Sequence, residues 1–306
     1  MAAPPARDIS SPQSDSLYYD IGTQEVARLF QAAADGSPLR IANLQRIMAA
    51  FVNDLLTGDG LLRMALEPGE SHVDRPRHMV NTAIFAVKIG QGVGAREEEL
   101  PWLALAGSLH DIGMVIVPAR ILNKPSALTD EERDLVRMHP EKGFHLLQGL
   151  GPEYEWLANA VLQHHEREDG SGYPRGLKGE EIHEFAKTIG LADTYEALTH
   201  PRPYRPQPRY PLEVTKEIIN TERQRFPGQL LKGFIRGLST FPAGSWVRLN
   251  TGETAQVVGT NPEFPLRPVV EIFADAKGGK YDKSRRVDLS ANTLLYITES
   301  NQGARP

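Results

Sequence analysis

Between residues 44 and 55 the apolar positions fall at Leu44, Ile47, Met48, Phe51, Val52 and Leu55, a spacing that lays one continuous stripe along a helix. A shorter face of Val26, Leu29 and Phe30 precedes it, in a pattern that turns helical at Glu25. Such stripes have to be buried, and packing on a neighbouring bundle is a simpler fate than a dedicated dimerisation or sensory surface. From residue 71 to about 240 the pattern reads as helices separated by polar loops. Val80, Ala83, Ile84 and Val87 form one face, Trp102, Leu105, Ala106 and Leu109 another, and Trp156, Leu157, Ala160 and Val161 a third. Thr129 with Glu132 has the spacing of a capping box and predicts a helix start, with His139 on the helix that follows. After Phe241 the period changes to that of strands. Val247, Leu249, Ala255 and Val257 alternate around an Asn-Thr-Gly turn, and the runs "PVVEIF" and "TLLYIT" follow. Residues 1–17, rich in Pro, Ser and Ala and without a period, are expected to form a disordered tail.

The expected organisation is therefore a tail over 1–17, an N-terminal helical region over 18–70, a helical domain over 71–240 and a small β module with its tail over 241–306. At 306 residues, 40% apolar and 24% charged, the chain can bury a substantial core. It contains no cysteine, which excludes disulfides, zinc ribbons and thiolate catalysis, so any metal has to be held by nitrogen and oxygen. The absence of a signal-peptide core and of an apolar run of membrane-spanning length points to a soluble, cytoplasmic protein without a membrane partner. A net charge of −5 argues against a polymeric nucleic-acid partner, which would call for a basic stripe. An anionic nucleotide would have to be attracted locally, by metal ions and a few arginines.

Five histidines and two aspartates supply the candidate chemistry: His78, the pair His110 and Asp111, His139, the pair His164 and His165, and Asp193. Any one histidine is more often a satisfied core or surface residue than a ligand. Together they form the donor set that borderline-hard divalent metals prefer, and their places on or at the ends of helices with apolar backs are how a bundle builds an interior metal site. His72, His145, His183 and His200 fall outside this series and read as ordinary residues.

The surrounding motifs, "SLHDIGM" from 108, "HPEKG" from 139, "HHEREDGSGYP" from 164 and "ADTYEALTHPRPYR" from 192, resemble the successive signatures of the HD-GYP family, a branch of the HD phosphohydrolases. The resemblance extends over roughly residues 71–240. It implies a mainly α fold: an HD-type helical bundle with an N-terminal helical extension and a small C-terminal antiparallel β module. It also implies hydrolysis of cyclic di-GMP at a site of two or three divalent metals, with Fe or Mn favoured.

Adjacent ligands such as His110 and Asp111 lie about 100° apart on a helix, too far for one face but suited to a helix end where a carboxylate bridges two ions. Asp111 is thus the expected bridge and, with His110, the catalytic pair. His78, His110 and Asp193 are expected around one ion and His139, His164 and His165 around the other. Asp74, four residues before His78, is either a ligand for a third metal or a surface acid near a helix start. Two metals about 3.5–4 Å apart can hold a bridging hydroxide for in-line attack on phosphorus, giving pGpG and then, with a second cut, GMP. Arg202 and Arg205 are expected to meet the phosphates. Gly172, Tyr173 and Pro174 form the family's named loop, either a tight turn alone or a pocket rim that also contacts partners such as diguanylate cyclase domains.

Two positions depart from the family pattern: Met114 stands where most members have lysine, and Glu196 where aspartate is usual. Losing one transition-state contact costs roughly a hundred- to a thousandfold in rate. Lys124 belongs to a motif of its own and is no evident replacement. Three readings follow: an active phosphodiesterase, a nucleotide-binding or interaction module with a filled metal site and little turnover, and an HD phosphohydrolase acting on a hybrid cyclic dinucleotide or another nucleotide.

Overall fold

A helix that buries every side chain from His78 to Val87 has no face to give to solvent, and this helix, α4 (Arg75–Val93), is the centre of the molecule. The structure, a computed structural model, describes residues 12–67, 74–238, 241, 244–261 and 263–301. Asp74 is the N-cap of α4 and accepts a hydrogen bond from the Arg77 amide at 3.1 Å; Pro76 sits in the first turn, and Gly94 ends the helix in the left-handed conformation. Around α4 pack α1 (Pro12–Ala34), α5 (Leu100–Leu109), α10 (Glu184–Thr199) and α12 (Gly228–Gly237). The stripe on α2 (Ala42–Thr57) is buried, and α2 lies on α5. A single apolar core runs from Tyr19 to Leu238, so the N-terminal helices are part of the bundle.

Three sequence expectations shift here. Helix α1 starts at Pro12, well before its regular apolar face, because Tyr19 buries its ring and anchors the first half; of the expected tail, residues 12–17 are helical and residues 1–11 lie outside the described residues. The capping box of Thr129 and Glu132 does open a helix, α7 (Asp130–Arg137), but His139 is not on it. It begins the next helix, α8 (His139–Gln148), because Pro140 is tolerated in a first turn and would break a continuous helix. Trp102 is exposed and packs edge-on against Trp156 with ring centroids 5.7 Å apart, while Leu103 is buried.

The remaining helices of the bundle are α3 (Gly60–Leu66), the single turn α6 (Ala119–Leu122), α9 (Glu155–Gln163) beside α8, and α11 (Pro211–Thr221) against α10. Beyond them, β1 (Trp246–Leu249), β2 (Thr254–Gly259), β3 (Val269–Ala274), β4 (Lys280–Asp288) and β5 (Ile297–Asn301) form one antiparallel sheet in the order β4-β3-β2-β1-β5. Its buried face, Val247, Leu249, Ala255, Val257, Val270 and Ile272, packs with Phe241 and with Leu212 of α11, which ties the module to the bundle. Only the end of "TLLYIT" is strand, and Leu294 before it is exposed.

Candidate metal centre

Each candidate ligand is placed by a helix start or end, or by a buried helix face. His78 lies one turn into α4, His110 caps the C-terminus of α5, and Asp111 opens a 3₁₀ turn over Ile112–Ile116. Gly113 in that turn lets α8 come close: a Cβ there would lie 2.0 Å from the His139 carbonyl oxygen. His139 is thereby carried against Asp111. His164 caps the end of α9 with His165 directly after it, and Asp193 projects from α10.

Three of the rings are oriented by carbonyls three residues back in the chain, on their own helices for His110 and His164 and on the preceding helix α7 for His139. His110, His139 and His164 donate Nδ1–H to the carbonyls of Gly107, Val136 and Val161 at 2.7, 2.7 and 2.6 Å. That bond fixes the tautomer and leaves the Nε2 lone pair facing inward. Asp111 receives them: its Oδ1 is 3.2 Å from His139 Nε2, 3.7 Å from His110 Nε2 and 4.0 Å from His164 Nε2, while its Oδ2 is 3.6 Å from His78 Nε2. Asp193 Oδ1 lies 3.4 Å from His78 Nε2 and 3.9 Å from His110 Nε2. The donors gather into two groups that share Asp111, one with His139, His164 and His165 and one with His78 and His110, each within 4.8 Å.

The residues fit divalent metal ions. His110 Nε2 is fully buried and has no hydrogen-bond partner, which is costly unless an electron-pair acceptor occupies the space in front of it. Burial, reinforced by the neighbouring imidazoles, holds His164 and His165 well below the ordinary histidine range, and burial also lowers His110; these rings are neutral and able to ligate. Burial alone would raise the Asp111 carboxyl, but His110, His139 and His78 hold it well below the usual range as a carboxylate. His78 differs. Burial disfavours its charged form, yet Glu196 and Asp111 outweigh burial and push its pKa up to about 9.

Around the donors lies a ring of residues that sequence reasoning did not assign. Glu196, noted only as a departure from the family pattern, accepts from His78 Nδ1 and from Arg202 Nη2, each at 2.6 Å. Arg75 donates Nη1 to Asp111 Oδ2 at 2.7 Å, and no motif marks it. The buried Glu166 carboxylate accepts from the amides of Arg175 and Leu177 and so holds the loop after His165. His200, read as ordinary, is buried with Nε2 3.3 Å from Asn81 Nδ2; His183 accepts from the Phe185 amide at the start of α10; and His145 lies near Gln148 on the surface. His72 lies outside the described residues.

Other candidates take different places. Asp74 lines the pocket, but it caps α4 and belongs to neither donor group, because the helix begins one residue after it. Arg205 is turned away from phosphate recognition: it donates to the carbonyls of Leu198, Ala197 and His200 and closes the C-terminus of α10. Arg202 lines the pocket and is already paired with Glu196. Tyr173 stacks on His165 with centroids 4.6 Å apart and lies under Arg137. Gly170 has φ 80°, whereas Gly172 is needed for close approach, since a Cβ would lie 2.4 Å from the His165 carbonyl oxygen. Pro174 follows a cis peptide bond. Met114 lines the pocket from an apolar cluster with Val117 and Ile121, and Lys124 is paired with Glu132.

Residues 61–229 match the family model of the HD domain, and residues 246–304 that of a KOW domain associated with the HD domain. Over 221 residues the chain is 35% identical to the cyclic di-GMP phosphodiesterase PA4108 of Pseudomonas aeruginosa, covering 71% of this chain and 52% of that protein. Over 132 residues it is 38% identical to the 3'3'-cGAMP-specific phosphodiesterase 1 of Vibrio cholerae, covering 42% of this chain and 30% of that protein. The chain thus spans about half, or less, of these relatives' length. Among solved structures, Bd1817, an HDG"Y"P protein from Bdellovibrio bacteriovorus, shares the fold with a TM-score of 0.61 at 16% identity, covering 75% of this chain and 73% of that one.

Proposed function

The chain belongs to the HD domain family and carries the motif set of its HD-GYP branch, and from that premise we propose that it is a metal-dependent phosphodiesterase that hydrolyses cyclic di-GMP to pGpG, with GMP from a second cut. The observation that carries this reading is the convergence of inward-facing imidazole Nε2 atoms on the buried Asp111 carboxylate, with His110 Nε2 left without a hydrogen-bond partner. Two divalent ions held there would supply a nucleophile from water at neutral pH and neutralise the phosphoryl oxygens of an in-line displacement. Imidazole and carboxylate donors without thiolate suit iron, manganese or zinc better than calcium or magnesium, and the resemblance to the HD-GYP family favours Fe or Mn among these.

The chain's own residues hold the donors and receive the substrate. His110, His139 and His164 keep their lone pairs inward through their bonds to backbone carbonyls. Asp111 keeps its charge for both groups. Arg75 and Arg202 line the pocket beside the centre and bring guanidinium donors to the phosphates, and Tyr173 backs His165 at the loop. The same loop is the surface offered to a partner of the diguanylate cyclase type. Among the described residues no helix is long and apolar enough to cross a membrane, and we place the enzyme in the cytoplasm.

Likeness to a 3'3'-cGAMP-specific enzyme supports a second reading, in which a hybrid cyclic dinucleotide is the better substrate. The test is hydrolysis of cyclic di-GMP and 3'3'-cGAMP by anaerobically purified protein loaded with Fe or Mn, with His110→Ala/Asp111→Ala as the blank. Turnover of cyclic di-GMP that vanishes in the double variant is expected. Turnover of 3'3'-cGAMP alone would move the assignment to the hybrid substrate. Two ions per chain with no turnover of either would overturn the enzyme reading for both cyclic dinucleotides and leave a binding module or a phosphohydrolase of another nucleotide.

A further inference from the structure

Unlike the three rings tied to carbonyls three residues back, His78 is oriented from a distance. Its Nδ1–H donates to Glu196 Oε2 on α10, 118 positions along the chain. The other oxygen of that carboxylate, Oε1, lies 3.5 Å from Asn81 Nδ2, one turn further along α4 than His78. Asn81 Oδ1 in turn accepts from the Tyr19 hydroxyl of α1 at 2.5 Å. Tyr19, Asn81 and Glu196 are each no more than 3% exposed, so no bulk water takes over any of these contacts.

We propose that Tyr19, acting through Asn81 and Glu196, is a positioning residue for His78, which makes the N-terminal helix a working part of the metal centre. The chain of contacts has a direction. The Tyr19 O–H satisfies the Asn81 carbonyl and thereby turns the Asn81 amide group towards Glu196 and His200. Glu196, held from that side and by Arg202, presents an oxygen to His78 Nδ1, and the ring then presents Nε2 at 3.4 Å from Asp193 and 3.6 Å from Asp111. Partners of this kind set ligand orientation and basicity. Tyr19 lies outside residues 61–229, so the centre extends beyond the span that matches the family model. The hydroxyl is separable from the packing of α1, because Val26 and Leu29 are fully buried and the Tyr19 ring itself would be kept by phenylalanine.

This rests on the metal-centre reading, and the test separates the two. Full-length wild-type, Tyr19→Phe, Glu196→Gln and Glu196→Asp proteins are titrated with Mn²⁺ against a competing chelator. Co²⁺-loaded samples are compared by visible absorption, and the metal-free proteins by thermal melting. Wild type is expected to take up two ions. Glu196→Gln should weaken one of them by roughly ten- to a hundredfold and leave the other unchanged, with Glu196→Asp keeping more affinity because it keeps a carboxylate. Tyr19→Phe should weaken the same ion by roughly three- to tenfold and alter the Co²⁺ spectrum in the same sense. Two ions bound by Tyr19→Phe as tightly as by wild type, with an unchanged spectrum, would overturn the proposal alone. Equal weakening of both ions with a lowered melting temperature would also overturn it, as a general loosening of the fold. A wild-type protein that takes up no ion would overturn the proposal together with the metal centre.

Discussion

The two halves of the metal centre use the same donor chemistry and are assembled in different ways. In the half formed by His139, His164 and His165, two rings are fixed by carbonyls three residues back and the third lies flat on Tyr173. In the half formed by His78, His110 and Asp193, the His110 ring is fixed in the same local way by Gly107, but the His78 ring is fixed by Glu196, which shares α10 with Asp193 and is itself braced by Arg202 and Asn81. Apart from the shared Asp111, the first half draws on α7, α8, α9 and the loop after His165, segments that adjoin in the chain within each pair. The second needs α1, α4, α5 and α10 in register at once. Local hydrogen bonds survive small shifts of whole helices; a carboxylate held across three helices does not, so packing changes should disturb the ion at His78 before the ion at His139.

Asp111 is the one group common to both halves, and replacing it gives the largest expected effect. Asp111→Asn keeps the shape but removes the charge and one acceptor oxygen. Metal content should fall below one ion per chain, and turnover should fall by on the order of 10³. Metal analysis on the purified variant checks the first expectation and hydrolysis the second. Retention of one tightly bound ion would show that the halves are independent and that Asp111 serves only one of them.

The same contrast explains what could be read from the sequence. The donors were legible because they stand in short contiguous strings such as "SLHDIGM" and "HHEREDGSGYP", and the helix backs around them have a clear 3.6-residue period. Their supports were not, because Tyr19, Asn81 and Glu196 meet only when α1, α4 and α10 pack, and no spacing in the chain encodes that meeting. Arg75 was overlooked for the same reason: its partner Asp111 is 36 positions away. In the β module, β1 to β3 alternate apolar and polar residues as half-buried strands must, but β4 carries "KYDKSRRVD" and is exposed over nearly its whole length. An edge strand with charges on both faces has no apolar alternation to read.

Arg75 gives the next largest effect and sharpens the comparison. It sits on Asp111 Oδ2, the oxygen facing His78, and only one of its five N–H donors is needed for that contact. Arg75→Ala should therefore raise KM by roughly tenfold to a hundredfold through lost phosphate contact while both ions remain. Parallel KM and metal-content measurements decide the matter. Loss of the ion at His78 with KM unchanged would make Arg75 a prop for the carboxylate and place it in the weaker half.

The smallest expected effect is electrostatic and is seen in the metal-free protein. Glu196 and Asp111 push His78 up to about pH 9 against its burial, whereas burial and neighbouring imidazoles hold His164 and His165 well below 6.5. A histidine raised in the folded state stabilises it fully below the unfolded value of about 6.5, and that contribution is lost as pH rises through 9. Histidines lowered in the folded state act the other way. Below about 6.5 the unfolded chain takes their protons first, so stability falls with pH. The metal-free melting temperature should accordingly decline above about pH 6.5 because of His78 and decline below it because of His164 and His165. Imidazole ¹⁵N resonances followed across the same range would assign each limb. A His78 that titrates with His164 would mean that Glu196 does not govern its ring, and the asymmetry between the halves would then be one of position alone.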